Sequence, residues 1–256
     1  AEYLAAWPIT GLLIARKGAI LYEGYGMGRD AEMTLTSMSM AKSVTSLLVG
    51  LCIDQGKIVS IEDVAEKYVP ALKDSLHGQT TLRNLMNMSS GAAIEHARDN
   101  NYIYPSGLRN ANSSVLQTVQ QWNARNDLQG TAFNYNELCA LTMGLVIRAV
   151  TGTSLSEFAE KYLWTPLGAE GEATWLLDSQ GVEFNCIGLG ARLRDWAKLG
   201  QLVAQQGRWK AQQVISRDWM EGYSKWTKAD GQVRPGVLKG KGANQGYKFF
   251  IWHDRS

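Results

Sequence analysis

The chain has 256 residues, with 26 basic and 24 acidic side chains, a formal net charge of +2, 45% hydrophobic residues and 20% charged ones. That length suits one large domain or two closely joined lobes, and the composition is that of a globular protein. The basic residues are scattered rather than gathered into a stripe, which argues against nucleic acid as a partner, and no apolar run approaches the ~20 residues of a membrane-spanning helix.

Residues 1–10 show no basic start followed by an apolar run, so no signal peptide is read, and the compartment stays open between cell envelope and cytoplasm. Residues 11–26 read as a β-hairpin, because two apolar runs flank the turn Arg16-Lys17-Gly18. Residues 39–53 read as a helix, with Met40, Val44, Leu47, Leu48 and Leu51 at helical spacing and Gly56 beyond its end. Ser60 opens a short helix that stops by Pro70, and Thr81 opens another that stops before Gly91. Residues 95–112 are polar, aromatic and broken by Pro105 and Gly107, which predicts a long surface loop. Helices are predicted over 113–123 and 138–150, the second ended by Gly152. Ser154 and Glu157 form a capping-box pattern for a helix that Pro166 closes. A further helix covers 192–206, Lys239-Gly240-Lys241-Gly242 reads as a glycine-rich loop, and 247–252 returns to strand character.

Strands at both ends with helices between them predict an α/β (α+β) fold. An antiparallel sheet would form from both chain ends, flanked by helices, with a largely helical inserted lobe. The expected layout is one catalytic domain with a sheet lobe over about 1–32 and 208–256 and a helical lobe over about 33–207. The cysteines Cys52, Cys139 and Cys186 include no CxxC pair; Cys52 and Cys139 read as small buried hydrophobes, and no ligand cluster has metal spacing. No cofactor or metal is expected.

One motif carries chemistry. Ser39-Met40-Ala41-Lys42 is a Ser-x-x-Lys, and positions i and i+3 of a helix share a face, so hydroxyl and amine can meet. Ser39 falls at the helix start, where free backbone N–H groups favour developing negative charge. A serine hydroxyl needs a nearby base. Lysine, with an ordinary pKa of about 10.4, serves as one only if its ammonium form is disfavoured; burial against Met40, Val44 and neighbouring apolar residues is expected to do so. On spacing alone the alternative stays open that Ser39 is an N-cap and Lys42 an exposed first-turn residue, since a Ser-x-x-Lys arises by chance roughly once in a chain this long. There is no Gly-x-Ser-x-Gly elbow, HExxH, P-loop or GxGxxG, and His77, His96 and His253 read as surface residues.

The stretch 35–50, LTSMSMAKSVTSLLVG, resembles the active-site helix of the serine β-lactamase and penicillin-binding protein superfamily. Further landmarks follow in family order at 82–91, 133–136, 144–152, 166–168, 194–200 and 207–209, so the resemblance covers about residues 11–252. It is strongest to the class C-like branch, which holds family VIII carboxylesterases, DD-peptidases and 6-aminohexanoate-dimer hydrolase. The resemblance implies a serine hydrolase with Ser39 as nucleophile, Lys42 as base and Tyr135 as the second-motif tyrosine, whose hydroxyl can carry protons to and from Ser39 and the leaving group. The family's second motif commonly reads Tyr-x-Asn; here the third position is Glu137, and Asn136, one residue early, is the candidate for substrate contact.

The family's third motif, a Lys-Thr-Gly or His-x-Gly strand that lends an oxyanion-hole N–H, is not found, so the C-terminal part of the family fold is expected to be missing. The implied partner is a small-molecule ester or amide, or a peptide: a carboxylic ester, β-lactam, D-Ala-D-Ala peptide or short linear amide. The alternative is a penicillin-sensing or non-catalytic binding protein of the same fold. The oligomeric state is not legible.

Overall fold

A computed structural model describes residues 2–225 and 245–254. Helix α1 (Glu2–Ala6) leads into the antiparallel strands β1 (Gly11–Arg16) and β2 (Ala19–Tyr25), as expected from the two apolar runs. Lys17 and Gly18 at their turn both have positive φ, 52° and 81°, which matches the twist of a two-residue hairpin. β3 (Leu35–Thr36) then precedes α2 (Met40–Asp54). After two 3-10 turns, Ala65–Lys67 and Pro70–Leu72, come α3 (Leu82–Met86), α4 (His96–Tyr104), α5 (Val115–Gln121) and α6 (Glu137–Thr151). α7 (Leu155–Ala159) runs through a π turn into α8 (Thr165–Leu167). β4 (Thr174–Trp175) and β5 (Leu189–Ala191) precede α9 (Leu193–Ala204), and β6 (Arg208–Trp209) and β7 (Gln212–Gln213) precede α10 (Arg217–Ser224). β8 (Gln245–Lys248) and β9 (Ile251–Asp254) end the described chain.

The core is built on two 15-residue helices, α2 and α6. Residues Val44 to Cys52 of α2 and Glu137 to Ile147 of α6 are buried nearly all round. A helix apolar on every side has to sit inside the protein. Asn136 caps α6: its Oδ1 accepts from the Cys139 N–H at 3.0 Å, and Gly152, at φ 69°, ends the helix in the left-handed region. Gly144 is required on the inner face. A Cβ there would lie 2.4 Å from Asn185 Oδ1. Asn185 Nδ2 donates to Ala140 O of α6 (2.7 Å) and to Thr45 Oγ1 of α2 (3.2 Å), and so ties the two helices together.

Four expectations are corrected. Residues 95–112 are not a loop but α4 followed by a π turn over Pro105–Arg109. α4 buries Asp99 and Ile103 and shows its polar residues outward; the Asp99 carboxylate accepts the Glu95 N–H at 2.8 Å, and Pro105 adopts helical φ and ψ of −60° and −45°. Pro166 does not itself close its helix; it lies in the last turn of the continuous helical path from Leu155 to Leu167, and Gly168 at φ 61° is the terminator. Residues 247–252 are not one strand but a hairpin turned at Phe249 and Phe250, with φ of 51° and 63°.

The fourth correction concerns the sheet. Among the described residues the two chain ends form separate antiparallel pairs, and β3, β5 and β4 form a third small antiparallel sheet in that order. The β8–β9 hairpin is held by helices instead: Ser43 Oγ of α2 donates to Phe250 O (2.9 Å), and the Phe250 N–H donates to Met86 O of α3 (2.9 Å). The mixed α/β architecture with small antiparallel sheets and many helices stands. Lys239-Gly240-Lys241-Gly242 lies outside the described residues.

Candidate active site

The N-termini of α2 and α6 meet in the core, and each brings a charge. Lys42 stands in the first turn of α2 and Glu137 opens α6; both side chains are buried, at 0% and 1% exposure. Their charged ends lie 2.5 Å apart. An acid in a first turn is favoured by the helix dipole, whereas a lysine there is not, so the pair needs contact to be stable.

Ser39 stands just before α2 with helical φ and ψ of −65° and −7° and makes no side-chain cap bond. Its hydroxyl accepts from Lys42 Nζ at 3.2 Å instead. Ser39 is exposed while Lys42 is enclosed. The structure thus brings Ser39 and Lys42 together, and neither the capping serine nor the exposed lysine of the alternative reading is present. The preceding residue, Met38, holds φ at 44°, in the left-handed region that favours glycine.

Lys42 Nζ donates to Ser39 Oγ and to Cys186 O at 2.9 Å, and it forms an ion pair with Glu137 Oε2. Burial pulls its ammonium form down, as the sequence led us to expect, but the Glu137 carboxylate beside it overrides burial and holds the lysine above its ordinary range. The expectation of a resting neutral amine is therefore corrected. Burial likewise pushes the Glu137 carboxyl up, and the Lys42 charge with the hydrogen bonds from His96 and Lys42 brings it down to about 2. Glu137 Oε1 also accepts from Tyr104 OH at 3.2 Å and faces His96 Nε2 at 3.3 Å.

Tyr135 is buried beside this pair, with Lys42 Nζ 4.9 Å from its ring centroid, a cation–π distance. Its ring stacks on Trp252 (6.0 Å, 15°) and meets His96 and Tyr247 edge to face. Asn136 does not reach the cleft. It is fully buried, its Oδ1 caps α6 and its Nδ2 donates to Asn134 O at 2.8 Å, so it has no end left for a substrate. The histidines also differ from expectation. His77 and His253 are buried, and only His96 keeps substantial exposure, at 37% of its side chain.

Sequence reading missed Glu137, His96 and Tyr104. The available signal was an acid at the head of an otherwise apolar helix, which cannot be buried without a counter-charge. Lys42 in the other apolar helix was the complementary signal.

Comparison with known proteins follows the same lines. The family model described as Beta-lactamase matches residues 6–216. A 6-aminohexanoate-dimer hydrolase of Paenarthrobacter ureafaciens is 27% identical over 228 residues, 82% of this chain and 55% of that protein, so the chain spans about half the length of this relative. The solved structure "Putative 6-aminohexanoate-dimer hydrolase from Bacillus anthracis" superposes with a TM-score of 0.84 at 24% identity, covering 98% of this chain and 66% of that one. A penicillin-binding protein homologue from Pyrococcus abyssi, described as octameric, gives 0.72 at 18% identity, covering 98% and 62%. At these identities the structural likeness speaks for the fold.

Proposed function

The chain belongs to the Beta-lactamase family of hydrolases, and from that premise we propose that it is a serine hydrolase that cleaves an ester or amide through an acyl-enzyme on Ser39. One observation carries the reading: an exposed Ser39 hydroxyl lies 3.2 Å from the amine of a fully buried lysine, at the head of a 15-residue helix. Nucleophile and proton carrier are within reach of each other. The helix N-terminus favours the charge that develops on the attacked carbonyl. Tyr135, packed against Lys42, is the second proton-carrying candidate.

For substrate we propose a short linear amide or the matching activated ester. The relative from Paenarthrobacter, named for a 6-aminohexanoate dimer, supports that class, and the open setting of Ser39 suits an extended chain.

The test is direct. Ser39→Ala abolishes hydrolysis of p-nitrophenyl butyrate and of a linear 6-aminohexanoate dimer with the fold intact by circular dichroism, and a fluorophosphonate adduct maps to Ser39 by mass spectrometry. An adduct on another serine overturns the assignment. Stoichiometric labelling by a fluorescent penicillin with no turnover of ester or amide points to a sensor instead.

A further inference from the structure

Resting on Ser39 as nucleophile, we infer that Glu137 is the terminal acceptor of the Ser39 proton, which reaches it through Lys42. The geometry is a continuous line: Ser39 Oγ to Lys42 Nζ at 3.2 Å, and Lys42 Nζ to Glu137 Oε2 at 2.5 Å. Glu137 touches neither solvent nor Ser39, so it acts only through the lysine.

The line resolves a conflict in the site. An ammonium has no lone pair and cannot take a proton. Glu137 holds Lys42 in that form, yet it also supplies the exit. A proton crosses from Lys42 to Glu137 Oε2, and rotation about the Cε–Nζ bond aims the freed lone pair at Ser39. As Ser39 Oγ bonds to the carbonyl carbon, the carbonyl π pair moves onto its oxygen and the Oγ proton moves to Lys42. Lys42 is an ammonium before and after, and Glu137 ends as a neutral acid. When the tetrahedral intermediate collapses, the bond from carbon to the leaving oxygen or nitrogen breaks. The leaving atom then takes a proton from Lys42, which Glu137 replaces. Water repeats the cycle in deacylation. The burial of the pair narrows the gap between its charged and neutral forms.

Other groups around Glu137 hold it in place. Tyr104 and His96 of α4 bond its other oxygen. The buried Cys186 thiol, and the Tyr247 hydroxyl of β8, are pushed well above their ordinary ranges, by burial first and by the Glu137 charge. Cys139 on the same helix is pushed up to about 11, mainly by burial, and Tyr135 packs on Lys42.

The pH profile is the test, because a structural ion pair and a proton relay differ there. A relay needs the pair as Lys42⁺ and Glu137⁻, the form that persists between the ordinary carboxylate and lysine ranges. The kcat/KM of the parent protein on p-nitrophenyl butyrate is therefore flat from about pH 5 to about pH 9. Glu137→Gln keeps the shape but cannot take the proton. It loses about 10²-fold or more at neutral pH and gains a limb that rises with pH, because Lys42 must then release its proton to solvent first. Glu137→Asp restores a flat profile at reduced rate, and it carries the test if the Gln variant does not fold. A parent profile that climbs through the alkaline range overturns the relay, as does a Glu137→Gln variant with parental rate and profile while Ser39→Ala is dead. Activity surviving in Ser39→Ala overturns the nucleophile, and the relay falls with it.

Discussion

The Lys42–Glu137 pair sets a testable balance of stability. Lys42→Met removes the cation and leaves the Glu137 carboxylate buried at 1% exposure, supported by His96 and Tyr104. Stranding one member of a buried ion pair costs about 3–5 kcal/mol. The two remaining hydrogen bonds, each worth about 1 kcal/mol, place the cost near the lower end, about 3 kcal/mol. For a domain of this size that is a drop in Tm of roughly 6–12 °C. Glu137→Leu strands Lys42 with two neutral acceptors, Ser39 Oγ and Cys186 O, and costs a similar amount. The double variant Lys42→Met/Glu137→Leu removes both desolvated charges and lies within about 1 kcal/mol of the parent.

Urea unfolding followed by tryptophan fluorescence measures all four proteins, and the cycle gives the coupling directly. The sign with pH is fixed as well. The contribution of Glu137, lowered to about 2, is complete above the ordinary carboxylate range and lost as pH falls toward that value. The contribution of Lys42, raised, is complete below the ordinary lysine range and lost as pH rises beyond it. The coupling is therefore constant between about pH 5 and about pH 9. Single variants that each cost less than about 1 kcal/mol, or a double variant that costs their sum, refute the reasoning.

Two further outcomes follow from packing and burial. Gly144→Ala drives a Cβ to 2.4 Å from Asn185 Oδ1 and pushes on the side chain that ties α2 to α6; it costs about 1–3 kcal/mol by thermal unfolding and lowers kcat by shifting the adjacent Cys186 carbonyl off Lys42. His77 is fully enclosed with neither ring nitrogen partnered, and burial, with a smaller push from Arg125, lowers it to about 3. The folded protein therefore resists a proton that the unfolded chain accepts at about pH 6.5. Stability falls by up to about 1.4 kcal/mol per pH unit as pH drops from there toward 3. His77→Leu flattens that slope in urea titrations at pH 6 and 4, and an unchanged slope shows that other groups carry it.

Much of this was legible in the chain. The two apolar helices were marked by their periodicity and by Gly152, and α7 by the Ser154–Glu157 capping box, which forms with both of its bonds. Ser39 and Lys42 were legible because i and i+3 spacing is a property of one helix. What joins Lys42 to Glu137, Cys186 and Tyr135 is tertiary, and no local pattern encodes it. The charge state of Lys42 went wrong for that reason: burial was visible in the apolar neighbours, but the counter-charge came from another helix. α4 was missed because Asp99 closes its first turn in place of an ordinary cap, and because Pro105 opens a π turn instead of ending the chain's helical path. The β8–β9 turn was missed because Phe249 and Phe250 take up positive φ, which their residue type opposes.

The cluster around Lys42 also says something about assembly in time. Its hydrogen bond to Cys186 closes a loop of 144 residues, and Glu137 comes from a third place in the chain. Closing long loops must be met in entropy before their contacts give anything back, so such contacts form slowly. The helices can fold on local signals, but the reactive arrangement arrives only when distant segments have docked. During refolding, the contact of Lys42 with Cys186 and Glu137 trails helix content.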